Sequence, residues 1–170
     1  MPPEQDRPEL VEVRILSLPI PVYLAAREHS DGLMREFQLL ALGNPQGGDV
    51  PHRLVQLAER LSASYAGFAV PAAETLAEAE AAGRVQVDLT YHLPPEAAAG
   101  IAELGALLDE ADRFCAGGEY LLTLVTPPEA VAFRRWFIDE VIRQIAGDAP
   151  RPWPEWRAAQ QAAEADRVTD

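Results

Sequence analysis

Lysine is absent from this chain, and cysteine is almost absent. All 14 basic residues are arginine, and Cys115 is the one cysteine among 170 residues. The lack of lysine excludes a Schiff-base amine and the lysine of a phosphate-binding P-loop. A single cysteine excludes an intramolecular disulfide and a zinc site with several cysteine ligands. We therefore expect no cofactor. Arginine without lysine, beside abundant alanine and proline, is typical of a GC-rich bacterium.

Long hydrophobic runs are also missing. No apolar run approaches the roughly 20 residues of a membrane helix, and residues 1–6 lack the basic and apolar regions of a signal peptide. We expect a cytoplasmic protein that makes no membrane contact. The net charge of −13 repels nucleic acid, since the arginines are scattered rather than clustered. The same charge attracts a basic partner.

Catalytic and metal-binding motifs are not found either. The chain has no G-x-S-x-G, no glycine-rich phosphate loop and no H-E-x-x-H. His29, His52 and His92 lie far apart, without the spacing of helical metal ligands, so we expect no metal site. His29 lies on an apolar helix stripe, which favours a hydrogen-bonded, partly buried residue. A hydrolase or transferase that uses His29 or His92 is the least supported function.

One acidic run and the lone cysteine occur on a single predicted helix. Asp109, Glu110 and Asp112 spread over most of a helical turn, which predicts a solvated face rather than a site where carboxylates converge. Cys115 lies on the apolar stripe of the same helix and is therefore predicted to be a small core residue.

The segment 126–143 predicts a helix at the centre of the fold. Thr126 is a candidate N-cap, and the two prolines that follow suit a first turn. Trp136 flanks the apolar stripe and widens it. The stripe itself comprises Phe133, Phe137, Val141 and Ile145. The predicted polar face comprises Arg134, Arg135, Asp139, Glu140 and Arg143.

Two similar units follow one another along the chain. Alternating apolar residues predict strands over 11–15 and 85–89. Each strand precedes a proline-started helix, ending at Gly43 and Gly117, and then a second helix from Pro51 or Pro127. The offset between the two units is constant at 74 residues. This repetition predicts an α-rich α/β fold of pseudo-symmetric, duplicated strand-helix-helix units, in which few central strands carry packed helices.

The same pattern predicts the domain boundaries. Residues 1–9 form a flexible arm, 10–147 a single α/β domain and 148–170 a tail rich in proline and tryptophan. Within the domain, repeat 1 covers about 10–68, a surface helix with little to bury covers 72–82, and repeat 2 covers about 85–147. Residues 43–48 are predicted as a loop, and 121–125 as a short strand or a helical turn. Such a unit, with broad apolar helices, could also form a homodimer.

Arg134 and Arg135, beside Trp136, are the candidate binding residues of the central helix. Arginine grips carboxylates or phosphates through paired hydrogen bonds. The alternative is an ion pair that only supports the fold, for example between Arg135 and Asp139 four residues later. Partners at Glu119 or Glu129 are further alternatives.

Trp153 and Trp156 are the candidate binding residues of the tail. Three prolines prevent a continuous helix through 149–154, so the tryptophans are predicted on an extended segment. One alternative is that they dock on the domain's own surface. The other is that they stay exposed as an anchor for a protein partner, since tryptophan is enriched at interface hot spots.

Four stretches resemble a known group of proteins. Residues 18–29, 33–37, 107–112 and 126–137 look like a family of uncharacterised proteins from high-GC Gram-positive bacteria, with a resemblance that covers about 10–146. Its members are found beside anti-sigma-factor kinases and their STAS-domain antagonists. The resemblance implies an accessory protein in this partner-switching system. It implies no activity and no catalytic residues. The chain lacks the asparagine box of the kinases and the serine motif of the STAS proteins.

Two functions remain under consideration. The first is a non-enzymatic regulatory protein that acts by contact with a protein partner, such as an anti-sigma kinase or a STAS-domain protein. The second is a domain that binds a small acidic ligand in a cleft between the two repeats. In the second case Arg134, Arg135 and Arg14 would supply the anion-binding groups.

Overall fold

A computed structural model describes residues 9–43, 49–116 and 125–169. The described chain is mostly helical and contains one two-stranded sheet, so the predicted α-rich α/β class is confirmed at this level. The order strand, helix, helix occurs twice along the chain. That these two units are a duplication stays a prediction. The elements are β1 Val11–Pro19, α1 Ile20–Gly43, α2 Val50–Ala81, β2 Gln86–Leu93, α3 Ala97–Ala116, α4 Pro128–Ile145 and α5 Trp153–Thr169.

The two strands pair with each other, as predicted, and they run antiparallel. Val11 lies opposite Leu93, and Ile15 lies opposite Leu89. Side chains alternate between the faces of a strand, so one face of the sheet is buried and the other is polar. A bulge interrupts the register after Ile15. The buried face comprises Val13, Ile15, Leu18, Val87, Leu89 and Leu93.

Helix α2 differs from the prediction. The sequence predicted one helix to about residue 66 and a separate surface helix over 72–82, whereas α2 is continuous through Pro71. Proline removes one backbone hydrogen bond from a helix interior. The turns that follow are not a surface helix with little to bury, because Ala72, Leu76 and Ala79 are buried in the core cluster that includes the sheet. This burial and the helix propensity of alanine offset the cost of the proline.

Helix α4 lies at the centre of the fold, as predicted. It contacts α1, α3, β1 and α5. Trp136 is fully buried, and its ring centroid lies 5.3 Å from that of Trp153 and 5.7 Å from that of Phe133. The aromatic side chains of α4 therefore join the sheet to the tail in one core cluster. A second core cluster lies between α1, α2 and α3, around Phe37, Leu54 and Leu107.

The tail is helical where an extended segment was predicted. Helix α5 begins at Trp153, and Pro154 lies in its first turn, where a missing N–H costs nothing. Trp153 and Trp156 are three residues apart and so share one face of the helix. Both are buried against the domain's own core, as in the first of the two alternatives, and they are not exposed as the anchor of the second.

Several predictions lie outside the described residues. They concern residues 1–8 of the arm, 44–48 of the first loop, and 117–124, which include Glu119 and most of the short strand. Within the ranges that the structure describes, no helix has the combined length and apolar character that a membrane span requires.

Tyr91 makes the fold sensitive to alkaline pH. Burial, together with the nearby Tyr23, raises the pKa of Tyr91 from 10.0 to about 12. Between these values the unfolded chain loses the phenol proton while the folded chain keeps it, so stability falls as pH rises from 10 to 12. We expect Tyr91 to account for a loss of about 2 to 3 kcal/mol over this range.

The measurement is urea unfolding at pH 9, 10, 11 and 12 for the wild type and Tyr91→Phe. The phenylalanine variant should lose less stability over this range, since it has no phenol to ionise. Because the chain has no lysine, no lysine side chain titrates over this pH range. Parallel losses in both proteins would contradict the assignment.

Candidate functional site

A cleft opens between α1, α3 and α4. Its volume is about 230 Å³, and its walls come from the first half of the chain on one side and the second half on the other. The remaining lining is apolar, and six residues bring polar atoms to the cleft: Tyr23, Arg27, His29, Ser30, Thr126 and Arg134. The apolar wall includes Leu33, Leu104, Leu108, Phe133, Phe137 and Ile138.

Thr126 does not cap α4, contrary to the prediction. The N-cap position is Pro127, and no side chain caps the helix there. The Thr126 hydroxyl instead donates to Asp112 Oδ1 at 2.6 Å, and it lies 2.9 Å from His29 Nε2. A carboxylate only accepts hydrogen bonds, so the single hydroxyl proton is directed at Asp112. His29 Nε2 must then carry a hydrogen and donate it to Thr126.

Arg134 is held by two carboxylates of α3. Its Nη2 donates to Asp109 Oδ1 and to Asp112 Oδ2, each at 2.7 Å, and its side chain is only 14% exposed. The prediction that the acids of this run cannot converge was wrong for these two residues. They are three positions apart, and such positions lie on the same face of a helix.

Arg135 is an exposed neighbour of this cluster. Its Nη2 lies 3.7 Å from Asp109 Oδ1, so the predicted pairing with Asp139 is replaced by a contact with α3. Asp139 pairs with Arg151 instead. The two arginines and two aspartates of the cluster cancel in formal charge, which leaves no net positive charge for an anion.

Glu140 was predicted on the polar face of α4, and this was wrong. Its side chain is fully buried. Its carboxylate accepts hydrogen bonds from Arg143 Nη1 at 3.1 Å, Gln144 Nε2 at 3.1 Å, and Arg151 N and Nε, both at 2.8 Å. A signal for this burial existed, because residues 133, 136, 137, 140, 141 and 144 follow the i, i+3, i+4, i+7 spacing of a wide buried face.

Arg151 connects the tail to α4. Gly147 has a φ of 101°, a conformation that glycine adopts easily, and the chain turns there after α4. Trp136 Nε1 donates to the Arg151 carbonyl at 3.1 Å. Partial burial lowers the pKa of Arg151, but the hydrogen bonds and charges of Glu140 and Asp139 outweigh it and raise the pKa above its ordinary value.

Arg14 contributes backbone contacts rather than an anion site. Its N–H donates to Gln144 Oε1 at 2.8 Å, and its carbonyl accepts from Gln144 Nε2 at 2.9 Å. The amide of Gln144 therefore pairs with β1 as a neighbouring strand would. Neither Arg14 nor Arg135 belongs to the lining of the cleft, so the three predicted anion-binding arginines do not come together there.

The remaining predicted residues do not form a site. Trp136, Trp153 and Trp156 pack together in the core. His29 is partly buried and hydrogen-bonded, as predicted. His92 is exposed on β2, with its Nε2 3.8 Å from Glu12 Oε2. Among the described side chains, no group of three or more His, Cys, Asp or Glu residues is placed to hold a metal ion.

No protein-family model, curated protein sequence or solved structure matches this chain. The resemblance to the family found beside anti-sigma kinases therefore stays a prediction. The functional argument rests on the geometry of the described residues.

Proposed function

We propose that this chain is a non-enzymatic regulatory protein that acts by binding another protein. The observation that carries the proposal is a pair of uncovered leucines near the end of α1, the leucine patch, which consists of Leu39 and Leu42. Their side chains are 69% and 75% exposed. Single exposed apolar residues are ordinary, but these two lie three residues apart on the same side of one helix.

A groove adjoins the leucine patch. It runs between the end of α1 and the beginning of α2, has a volume of about 490 Å³, and is lined by Ala41, Leu42, His52 and Val55 together with polar residues. Apolar side chains of a partner helix would fit this groove.

The charge of the chain indicates what kind of partner it attracts. A net charge of −13 speeds association with a basic surface, and this attraction weakens as added salt screens it. The partner surface that fits is therefore apolar at its centre and basic at its rim. This matches the usual division of interfaces into an apolar core and a polar rim.

The hydrogen bonds at the cleft support a non-catalytic role. A hydroxyl nucleophile needs a base that accepts its proton. The acceptor of the Thr126 hydroxyl is Asp112, whose other oxygen is held in an ion pair by Arg134, so this carboxylate already links α3 to α4. His29 donates to Thr126 and so cannot accept its proton through the same nitrogen. The arrangement holds α1, α3 and α4 together instead.

The partner class follows from the resemblance. An anti-sigma kinase or a STAS-domain protein in the cytoplasm is the partner that we propose. A second copy of this chain is the alternative occupant of the leucine patch, in accordance with the predicted homodimer. Sedimentation of the purified chain at several concentrations distinguishes the two.

The test is the double variant Leu39→Ser/Leu42→Ser, titrated by calorimetry against a purified anti-sigma kinase and a purified STAS-domain protein from the same organism. Loss of both side chains should weaken binding by about tenfold or more, since removing a buried apolar contact costs 1 kcal/mol or more. Val85→Ser is the matched control. Val85 is 71% exposed, and its carbonyl accepts from the first residue of α1, about 33 Å along the helix from Leu42.

Binding that is lost in the double variant and kept in Val85→Ser supports the proposal. Equal binding by the double variant and the wild type would place the contact elsewhere. The absence of binding to either protein, with no self-association, would remove the regulatory proposal. Circular dichroism of each variant checks that the helices are retained.

A further inference from the structure

The cleft between α1, α3 and α4 has the composition of a small-molecule site. Its volume of about 230 Å³ lies just below the range of roughly 300–1,000 Å³ for drug-sized ligands. Phe133 and Leu33 form buried parts of its wall, while His29, Thr126 and Arg134 contribute polar atoms. A largely apolar wall with a few polar groups is what ligand pockets have in common.

Charge decides which ligands this cleft suits. Two arginines line the cleft, Arg27 and Arg134. The Arg27 side chain is 62% exposed and its Nε lies 3.9 Å from Asp31 Oδ2, so water and this carboxylate screen its charge. Arg134 is held by both Asp109 and Asp112 at 2.7 Å. An acidic ligand that approached Arg134 would meet these two carboxylates. It would have to leave its own charge poorly paired or break existing ion pairs, and both are costly in a partly buried site. A neutral ligand avoids this cost.

The hydrogen-bonding capacity of His29 indicates which polar group a neutral ligand should carry. Its Nε2 carries a hydrogen that is used on Thr126, so in the neutral ring Nδ1 is the atom that accepts. A ligand with one N–H or O–H group complements that atom. The size of the cleft limits such a ligand to about one fused pair of rings or a short branched chain.

We infer that this cleft binds a small, neutral, mainly apolar molecule that carries one N–H or O–H donor, which His29 accepts. This site is separate from the leucine patch, and the inference does not depend on the proposed protein partner. It replaces the acidic ligand that the arginine pair suggested in the sequence. It keeps the predicted location between the two halves of the chain.

Three probes of similar shape test the ligand class by calorimetry with the full chain. Indole is neutral and has one N–H, indene has the same rings without that donor, and indole-3-carboxylate adds a negative charge. Indole should bind about tenfold more tightly than indene, the ratio that one hydrogen bond supplies. Indole-3-carboxylate should bind more weakly than indole. His29→Leu should bring indole and indene to nearly equal affinity.

Substitutions at two neighbouring alanines test whether the ligand binds in this cleft. Ala26 lines the cleft, whereas Ala25 is exposed and does not belong to its lining. Ala26→Phe fills part of the cleft and should weaken indole binding about tenfold or more, while Ala25→Phe should leave it unchanged. If Ala26→Phe fails to fold, the wild type suffices, because bound indole should shift the methyl NMR signals of Leu104 and Leu108.

Each contrary outcome overturns a stated part of the inference. The absence of saturable indole binding, or binding that Ala26→Phe leaves intact, rules out the site. Tighter binding of indole-3-carboxylate than of indole rules out the neutral class. An indole preference that survives in His29→Leu rules out His29 as the acceptor.

Discussion

Trp153→Ala is expected to lower the free energy of unfolding by about 3 to 5 kcal/mol, the usual cost of truncating a buried aromatic residue. The Trp153 ring packs against Trp136 and Phe133, with centroid distances of 5.3 and 5.9 Å, and it stacks on Trp156. Alanine would leave a cavity at the junction of α4 and α5. Urea denaturation followed by circular dichroism measures the change.

Truncation of the tail provides the matched control. Beyond Arg157, α5 is largely exposed, so a chain that ends at residue 160 should keep nearly all of its stability. A chain that ends at Gly147 loses Arg151, Trp153 and Trp156 together and should be strongly destabilised. If Trp153→Ala is as stable as the wild type, the tail does not dock as described.

This result bears directly on the proposed function. Trp153 and Trp156 were candidate contacts for a partner, yet both are buried in the core of the same chain. A variant of either residue that loses partner binding would therefore be explained by a damaged fold. The leucine patch offers a cleaner test because its side chains are exposed.

Glu140→Gln is expected to lower the free energy of unfolding by about 3 kcal/mol, the second large effect. Glu140 is fully buried and accepts hydrogen bonds from Arg143, Gln144 and Arg151. Removal of one partner from a buried charged network typically costs about 3 to 5 kcal/mol, and we expect the low end because the arginines keep some contact with water. The amide of glutamine also brings an N–H group to where only acceptors fit.

Asp139→Asn is the control for Glu140→Gln. Asp139 precedes Glu140 on α4 and also pairs with Arg151, but its side chain is 48% exposed. Water screens the ion pair between Asp139 and Arg151, so its loss should lower the free energy of unfolding by less than about 1 kcal/mol. Thermal and urea unfolding of both variants makes the comparison. If both variants lose the same free energy of unfolding, burial does not determine how much the Glu140 hydrogen bonds contribute to stability.

Local periodicity predicted much of the fold. Alternation over 11–15 predicted β1 and its buried face, and the four-residue stripe that begins at Phe133 predicted α4 as the central helix. These patterns depend only on the geometry of one strand or one helix. The sequence left the docking of Trp153 and Trp156 as one of two alternatives, because tryptophan is buried in cores and is also enriched at interfaces.

Long-range partners could not be predicted from local patterns. Arg134 meets Asp109 and Asp112 on another helix, and Gln144 meets Arg14 across 130 residues. The role of Thr126 also depends on a long-range partner. Its hydroxyl is hydrogen-bonded to Asp112 of α3 and does not cap α4.

The sequence by itself determined the fold class, the buried faces of the two strands, the central helix and the absence of lysine chemistry. Only the tertiary structure decided that Glu140 is held by Arg143, Gln144 and Arg151, that α2 continues through Pro71 and that Arg134 is neutralised by two carboxylates. The physical reason is that periodicity reports which face of an element is apolar. The partner of a polar group depends instead on which elements meet, and that is settled only when the whole chain packs.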